Sequence, residues 1–278
     1  MKNPKHKKNR FFLLLFVAGA VGSLLLLFAC ATVPLTERRG LRLVSDSEML
    51  PLSFQQYTEV LKNSKLSNDP SKVRMVKQVG ERIARASEEF MKESGMESEI
   101  ANYKWEFNVI EDEKTANAWC MPGGKVAVYT GILPITQNES GLAVVMGHEI
   151  AHAIAKHGNE RMSEGLLVQL GGTTLSAALS GQPQLTSQLF MGAYGVASNV
   201  GFMLPYSRVH ESEADRIGLV LMAKAGYDPR TAIAFWQRMN EQGGSRSPEF
   251  LSTHPVPETR IKNIQSLIPE AMRYYKGK

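Results

Sequence analysis

His148-Glu149-Ile150-Ala151-His152 is the stretch that decides how this chain is read. Asn138 can cap a helix, and Leu142, Val145, Met146, Ile150, Ala153 and Ile154 behind it recur at helical spacing, which predicts a helix over 139–157. Residues four apart lie on one helical face with Cβ atoms about 5–6 Å apart, so His148 and His152 can reach a single ion. Zinc suits two imidazoles and a carboxylate with one position open. Glu149, one residue past the first histidine, can contact a water at that ion without ligating it and serve as general base, the arrangement for hydrolysis of an amide. A third protein ligand is required. Glu211-Ser212-Glu213-Ala214-Asp215 begins 59 residues after His152 on a second predicted helix. Glu211 and Asp215 share a face and Glu213 points roughly opposite. Glu211 is therefore assigned to the metal and Asp215 to orienting a ligand histidine through its free N–H, while Glu213 is given no part in metal binding. His157 falls five residues after His152, about 100–140° off the ligand face, and reads as a helix-end histidine.

Outward from the motif, the chain reads as one helix-rich domain over residues 53–278. A helical stretch is predicted at about 53–64. A second follows Asn68-Asp69-Pro70, with Val73, Val76, Val79, Ile83 and Phe90 in register to about residue 95. Trp105, Phe107 and Val109 alternate with polar residues as a half-buried strand. Pro122-Gly123-Gly124 reads as a turn leading to a second strand around Val126 and Val128. Cys120, in the apolar run Ala118-Trp119-Cys120-Met121, reads as a buried, inert thiol. Two stretches rich in Gly, Ala and Leu across 160–203 are expected to form a buried helical hairpin. Further helices are expected at about 207–225, after Asp228-Pro229, and from Pro257 to about 267. The fold class is α+β, with a small early β-sheet and the zinc site on two helices.

The 278 residues contain 43% hydrophobic and 21% charged residues, ordinary for a globular protein. The formal charge of +5 arises entirely in the leader: Lys2, Lys5, Lys7, Lys8 and Arg10 are its five basic residues, and what remains is 27 basic against 27 acidic. No excess of cations is left to hold phosphates, so nucleic acid is excluded as a partner. Basic residues 2–10 followed by the uncharged run 11–29 form the n- and h-regions of a signal peptide. Leu27-Phe28-Ala29-Cys30 resembles the lipobox of bacterial lipoproteins, which implies removal of residues 1–29 and lipid attachment at Cys30. The alternative is a retained anchor, since nineteen apolar residues nearly span a core of ~30 Å. Either way the remainder faces the far side of the cytoplasmic membrane, with the outer membrane favoured by Ala31 after the cysteine. Residues 30–52 read as a tether.

Four motifs in order carry a family resemblance. His148-Glu-Ile-Ala-His152 is followed by Ser207-Arg208-x-x-Glu211-x-Glu213-Ala214-Asp215-Arg216-x-Gly218. Asn117-Ala118-x-x-x-Pro122-Gly123-Gly124 precedes the histidine helix, and Thr253-His254-Pro255 with Arg260 closes the set. Over residues 70–267 this resembles the zinc metallopeptidases that include the CAAX prenyl proteases, the mitochondrial Oma proteases and the BepA-type periplasmic proteases. The resemblance implies a gluzincin fold and one zinc on His148, His152 and Glu211. It implies Glu149 as base, substrate contacts at Asn117, Gly123 and Gly124, and His254 close to the chemistry. His254 would act either as an oxyanion donor or as a latch on the open zinc position. Polypeptides, unfolded or misassembled envelope proteins in particular, are the implied substrates. The apolar stretches carry too many polar residues for spans, which favours the compact Oma and BepA type over prenyl processing. Two other readings stay open: a metal-bound scaffold with its peptidase activity held off, and an anchored binding module with an incidental motif.

Overall fold

In a computed structural model of the chain, the residues described are 30–170, 188, 190, 206–241, 249–254 and 259–277. The leader and nearly all of the expected hairpin at 160–203 beyond residue 170 lie outside them. The described chain starts with a short antiparallel pair, β1 (Cys30–Thr32) and β2 (Arg39–Leu41). Helix α1 (Asp46–Asn63) follows, then α2 (Pro70–Glu93). Asp69 accepts the backbone N–H of Ser71 and Lys72 at the start of α2, and Pro70 occupies a first-turn position where no N–H is missed.

Strands β3 (Glu106–Ile110), β4 (Ala118–Met121) and β5 (Lys125–Tyr129) form one sheet in the order β3-β5-β4. β3 runs parallel to β5, and β4 antiparallel to it with Cys120 opposite Val126. β4 is the strand that alternation does not reveal, because all four of its residues are buried. A strand covered on both faces loses its period-two signature. Cys120 is a buried free thiol, and burial pushes its pKa well up, as expected of an inert cysteine.

Against the sheet lies α4 (Glu139–Ile154), preceded by the single turn α3 (Leu133–Thr136). Every residue of α4 from Gly141 to Ile154 is buried. It is enclosed by β4, α2, α6 (Arg208–Lys224) and α7 (Thr231–Glu241). α4 and α6 approach closely: a Cβ built on Gly147 would stand 2.9 Å from the Gly218 carbonyl oxygen. One on Gly218 would stand 2.9 Å from the His148 nitrogen. Two glycines therefore let the helices bearing the histidines and the carboxylates touch backbone to backbone. Helices α8 (Glu249–Thr253) and α9 (Arg260–Ala271) complete the order. The expected α+β class, helix-rich with a small early sheet, is what the chain adopts.

Two expectations about segment boundaries fail. Residues 30–52 are no free tether: β1 and β2 pair, Val33, Val44 and Met49 are buried, and α1 starts at Asp46. The polar residues of this segment include Thr36 and Arg38, which are bonded into the domain. The second failure concerns the helix predicted to run to residue 157. It stops at Ile154, because Lys156 takes a left-handed backbone (φ 58°), and α5 (His157–Leu170) begins in a new direction. Lys156 is held there by ion pairs to Asp46 and Glu99, the kind of surrounding that a strained non-glycine residue needs.

Candidate metal centre

Helix α4 brings His148 and His152 onto one side, and α6 presents Glu211 and Asp215 to them. All four are buried. The Nε2 atoms of His148 and His152 are 3.1 Å apart, and Glu211 Oε1 is 3.3 Å from His152 Nε2. Glu211 Oε2 lies 3.5 Å from His148 Nε2. His254, at the end of α8, joins this group: its Nδ1 is 3.2 Å from His148 Nε2 and 2.9 Å from Glu211 Oε1. A tetrahedral ion with bonds of about 2.0–2.1 Å holds its ligand atoms about 3.3 Å apart. The four side chains His148, His152, Glu211 and His254 are thus spaced as the corners around one such ion. Imidazoles and a carboxylate are the donors that zinc takes, so the donor set fits zinc.

Two of the corners, His148 and Glu211, are held from behind. His148 Nδ1 is 3.1 Å from Asp215 Oδ1, a distance at which a carboxylate can orient the ring. Arg260 clamps both carboxylates. It donates from Nε and Nη2 to Asp215 at 2.9 and 2.7 Å and from Nη1 to Glu211 at 2.8 Å, and its guanidinium lies 3.6 Å over the Trp236 ring. A buried arginine between two buried carboxylates keeps charge in balance. Burial disfavours charge on His148, but Glu211 and Asp215 outweigh it and push the ring up to about 9. His152 goes the other way, well below the usual range, because burial dominates there. Burial also raises the Glu149 carboxyl. Its Oε1 has no hydrogen-bond partner and sits 3.3 Å from His254 Nε2. A buried, unpartnered carboxylate oxygen beside the ligand cluster is placed to take up a proton there.

One site residue escaped the sequence, and the role of another did. Tyr206 stacks on His152 at 3.8 Å and on His254 at 5.1 Å, under the guanidinium of Arg161. Nothing in the sequence around it, the run Leu204-Pro205-Tyr206, signals that position. Arg260 had a signal, its place six residues after His254 in the last motif, but that motif does not reveal its bonds. His157 is a correction. It is completely buried, its Nδ1 is 2.8 Å from His152 Nδ1, and the left-handed turn at Lys156 is what carries it back to the ligand side. Glu213 has contacts that its spacing did not predict. It does face away from the ligand cluster, yet it is buried and bonded to His157 Nε2 at 3.1 Å.

The residues expected to bind substrate have other work. Gly123 and Gly124 both have φ of 79°, the left-handed turn between β4 and β5. A Cβ on either would strike Phe54 at 2.6 Å or Trp105 at 2.5 Å. Their carbonyls accept Lys104 and Glu106 backbone N–H groups. Asn117 is buried, its side-chain oxygen receives the Ala118 N–H, and its amide bonds Glu249 at the start of α8. The described contacts of these three secure the sheet and the helix that carries His254, with none to the ligand cluster.

Residues 74–268 match the family described as Peptidase family M48. The chain belongs to that family. Its cofactor is accordingly zinc, and its class is zinc metalloendopeptidase. Among its relatives, the mitochondrial metalloendopeptidase OMA1 of Schizosaccharomyces pombe is 34% identical over 271 residues, 97% of this chain and 75% of the relative. OMA1 of Saccharomyces cerevisiae is 37% identical over 183 residues, 62% of this chain and 50% of the relative. The beta-barrel assembly-enhancing protease of Escherichia coli is 33% identical over 158 residues, 54% of this chain and 32% of the relative. The chain thus spans most of the fission-yeast relative but half or less of the other two.

Proposed function

We propose that this M48 member is a membrane-anchored endopeptidase of the cell envelope that cuts unfolded or misassembled proteins. We infer that His148, His152 and Glu211 hold its zinc and that Glu149 is the base. The observation that carries the proposal is the convergence of those three ligand atoms beside Glu149, whose buried Oε1 has no hydrogen-bond partner. Zinc, when bound, supplies Lewis acidity that polarises the scissile carbonyl and acidifies an attacking water. Glu149 takes the proton of that water and returns it to the departing amine. Asp215 and Arg260 hold His148 and Glu211 in place throughout. Placement in the envelope is supported by the leader, by the lipobox at Cys30 and by the similarity to an assembly-enhancing protease of a Gram-negative bacterium. Among the described residues no helix is long and apolar enough to cross a membrane, and the anchor we propose is the segment 1–30.

His254 supports a reading in which the enzyme is latent at rest. Its Nδ1 stands with the ligand atoms and its Nε2 faces Glu149 Oε1. One ring thereby covers the position that substrate needs and engages the base, as a latch does, whereas an oxyanion donor would leave that position open. The test is zinc content together with casein degradation that a chelator stops. A latent enzyme binds one zinc and cuts slowly, and His254→Ala then raises turnover with zinc content unchanged. A fall in turnover would return His254 to the oxyanion role, and absence of zinc from the purified chain would defeat the proposal.

A further inference from the structure

On the side of His152 away from the ligand cluster lies a chain of hydrogen bonds that peptide hydrolysis does not use. His152 Nδ1 meets His157 Nδ1 at 2.8 Å, and His157 Nε2 meets Glu213 Oε2 at 3.1 Å. Glu213 Oε1 accepts the Thr36 hydroxyl at 2.5 Å, and Oε2 accepts Arg38 Nε at 2.8 Å. Arg38 reaches on to Glu160 with both terminal nitrogens, at 2.6 and 2.7 Å, and Glu160 pairs with His210 at 3.2 Å. One set of tautomers satisfies the line. A ligand Nε2 is unprotonated, so the His152 proton is on Nδ1 and is donated to His157 Nδ1. The His157 proton is then on Nε2 and is donated to an ionised Glu213. The charge states agree with this. Burial holds His157 neutral, its pKa down at about 4. Burial alone would raise the Glu213 carboxyl, but the bonds from His157, Arg38 and Thr36 outweigh it and hold it at about 2.

The far end of the line is built from the segment that follows Cys30. Between β1 and β2 the backbone is left-handed at two non-glycine residues, Leu35 (φ 68°) and Glu37 (φ 57°). Such residues persist only where their surroundings hold them. Buried Val33 pins the turn, its N–H bonded to the Arg38 carbonyl at 2.7 Å, and the turn presents Thr36 and Arg38 to Glu213.

We propose that His157 and Glu213 are positioning residues for the zinc ligand His152. Thr36 and Arg38 lock them, so that docking of the segment after Cys30 governs how firmly the metal is held. This rests on the reading of His152 as a ligand. The device joins the part of the chain nearest the proposed anchor to the site: a pull or a partner that undocks residues 33–38 loosens zinc without touching a ligand.

The experiment measures zinc release from the full chain to a colorimetric chelator, beside melting temperatures with and without zinc. His157→Leu should release zinc about 10–100-fold faster, the usual cost of losing a ligand's supporting partner. His157→Asn, whose side-chain oxygen replaces Nδ1 as acceptor, should recover most of that loss. The double variant Thr36→Val, Arg38→Gln should also release zinc faster, although it alters neither histidine, and should narrow the gap between the two melting temperatures. Wild-type release rates in both His157→Leu and the double variant would overturn the inference. So would melting temperatures lowered equally with and without zinc, which would mark a purely structural network. Zinc held as firmly by His152→Ala as by the wild type would instead overturn the ligand reading beneath it.

Discussion

Glu149 and Glu211 are both buried glutamates within reach of the same histidines, and their environments divide the labour between them. Glu211 is bonded by Arg260 and faced by His148, His152 and His254. Burial alone would raise its carboxyl, but that company holds it well below the usual range, ready to bind a cation. Glu149 has an oxygen without a partner and a carboxyl that burial raises. Glu149→Gln should therefore keep zinc and the fold while losing on the order of 10²–10⁴ in turnover, the usual contribution of a general base. Steady-state kinetics on a peptide substrate beside metal analysis checks this, and near-normal cleavage by the homogeneous variant would remove the assignment. The residues legible from sequence, His148, Glu149, His152, Glu211 and Asp215, all sit inside single helices where a spacing of four fixes the face. His157, Tyr206 and the bonds of Arg260 were not legible. Each reaches the site through a helix break or through contacts between distant segments, and periodicity carries no information about either.

Among the elements, the contact between α4 and α6 matters most, because it sets the distance between histidines and carboxylates. Gly218→Ala would place a methyl group 2.9 Å from the His148 backbone nitrogen. The helices must separate to admit it, at a cost of about 1–3 kcal/mol as in other overpacked cores. Denaturant unfolding should show that loss in the metal-free protein, with weakened zinc binding on top of it. Unchanged zinc affinity would mean that the two helices do not set the ligand spacing. The helix-rich class, the capped start of α2 and the early sheet were legible, since amphipathic spacing, Asp69-Pro70 and the alternation around Phe107 are local signals. β4 was hidden by its burial on both faces. The hairpin of β1 and β2 was hidden because three-residue strands carry no pattern, and its register comes from docking Val33 and Arg38.

For the whole molecule, the network around Arg38 predicts how stability follows pH. Glu160 and Glu213 have folded pKa values of about 2, held there against burial by His210, His157 and Arg38. A carboxylate depressed in the folded state stabilises the protein above its unfolded pKa of about 4.3 and loses that contribution as pH falls through the folded value. The metal-free protein should thus lose stability between about pH 4.5 and pH 2, and Arg38→Ala should flatten that part of the curve. An identical curve for the variant would show that Arg38 does not hold the two carboxylates. At the N-terminus, Cys30→Ala should block cleavage after residue 29 and lipid attachment. Mass spectrometry of the mature chain reads this directly, and an intact leader on the wild type would favour the retained anchor. The central claim is that one zinc sits on His148, His152 and Glu211 and works with Glu149. Zinc content of the purified full chain, measured together for the wild type, Glu149→Gln and Glu211→Ala, tests it most directly. One zinc per chain is predicted in the first two and loss of it in Glu211→Ala. Zinc retained at full occupancy by Glu211→Ala, or missing from the wild type, would contradict the account.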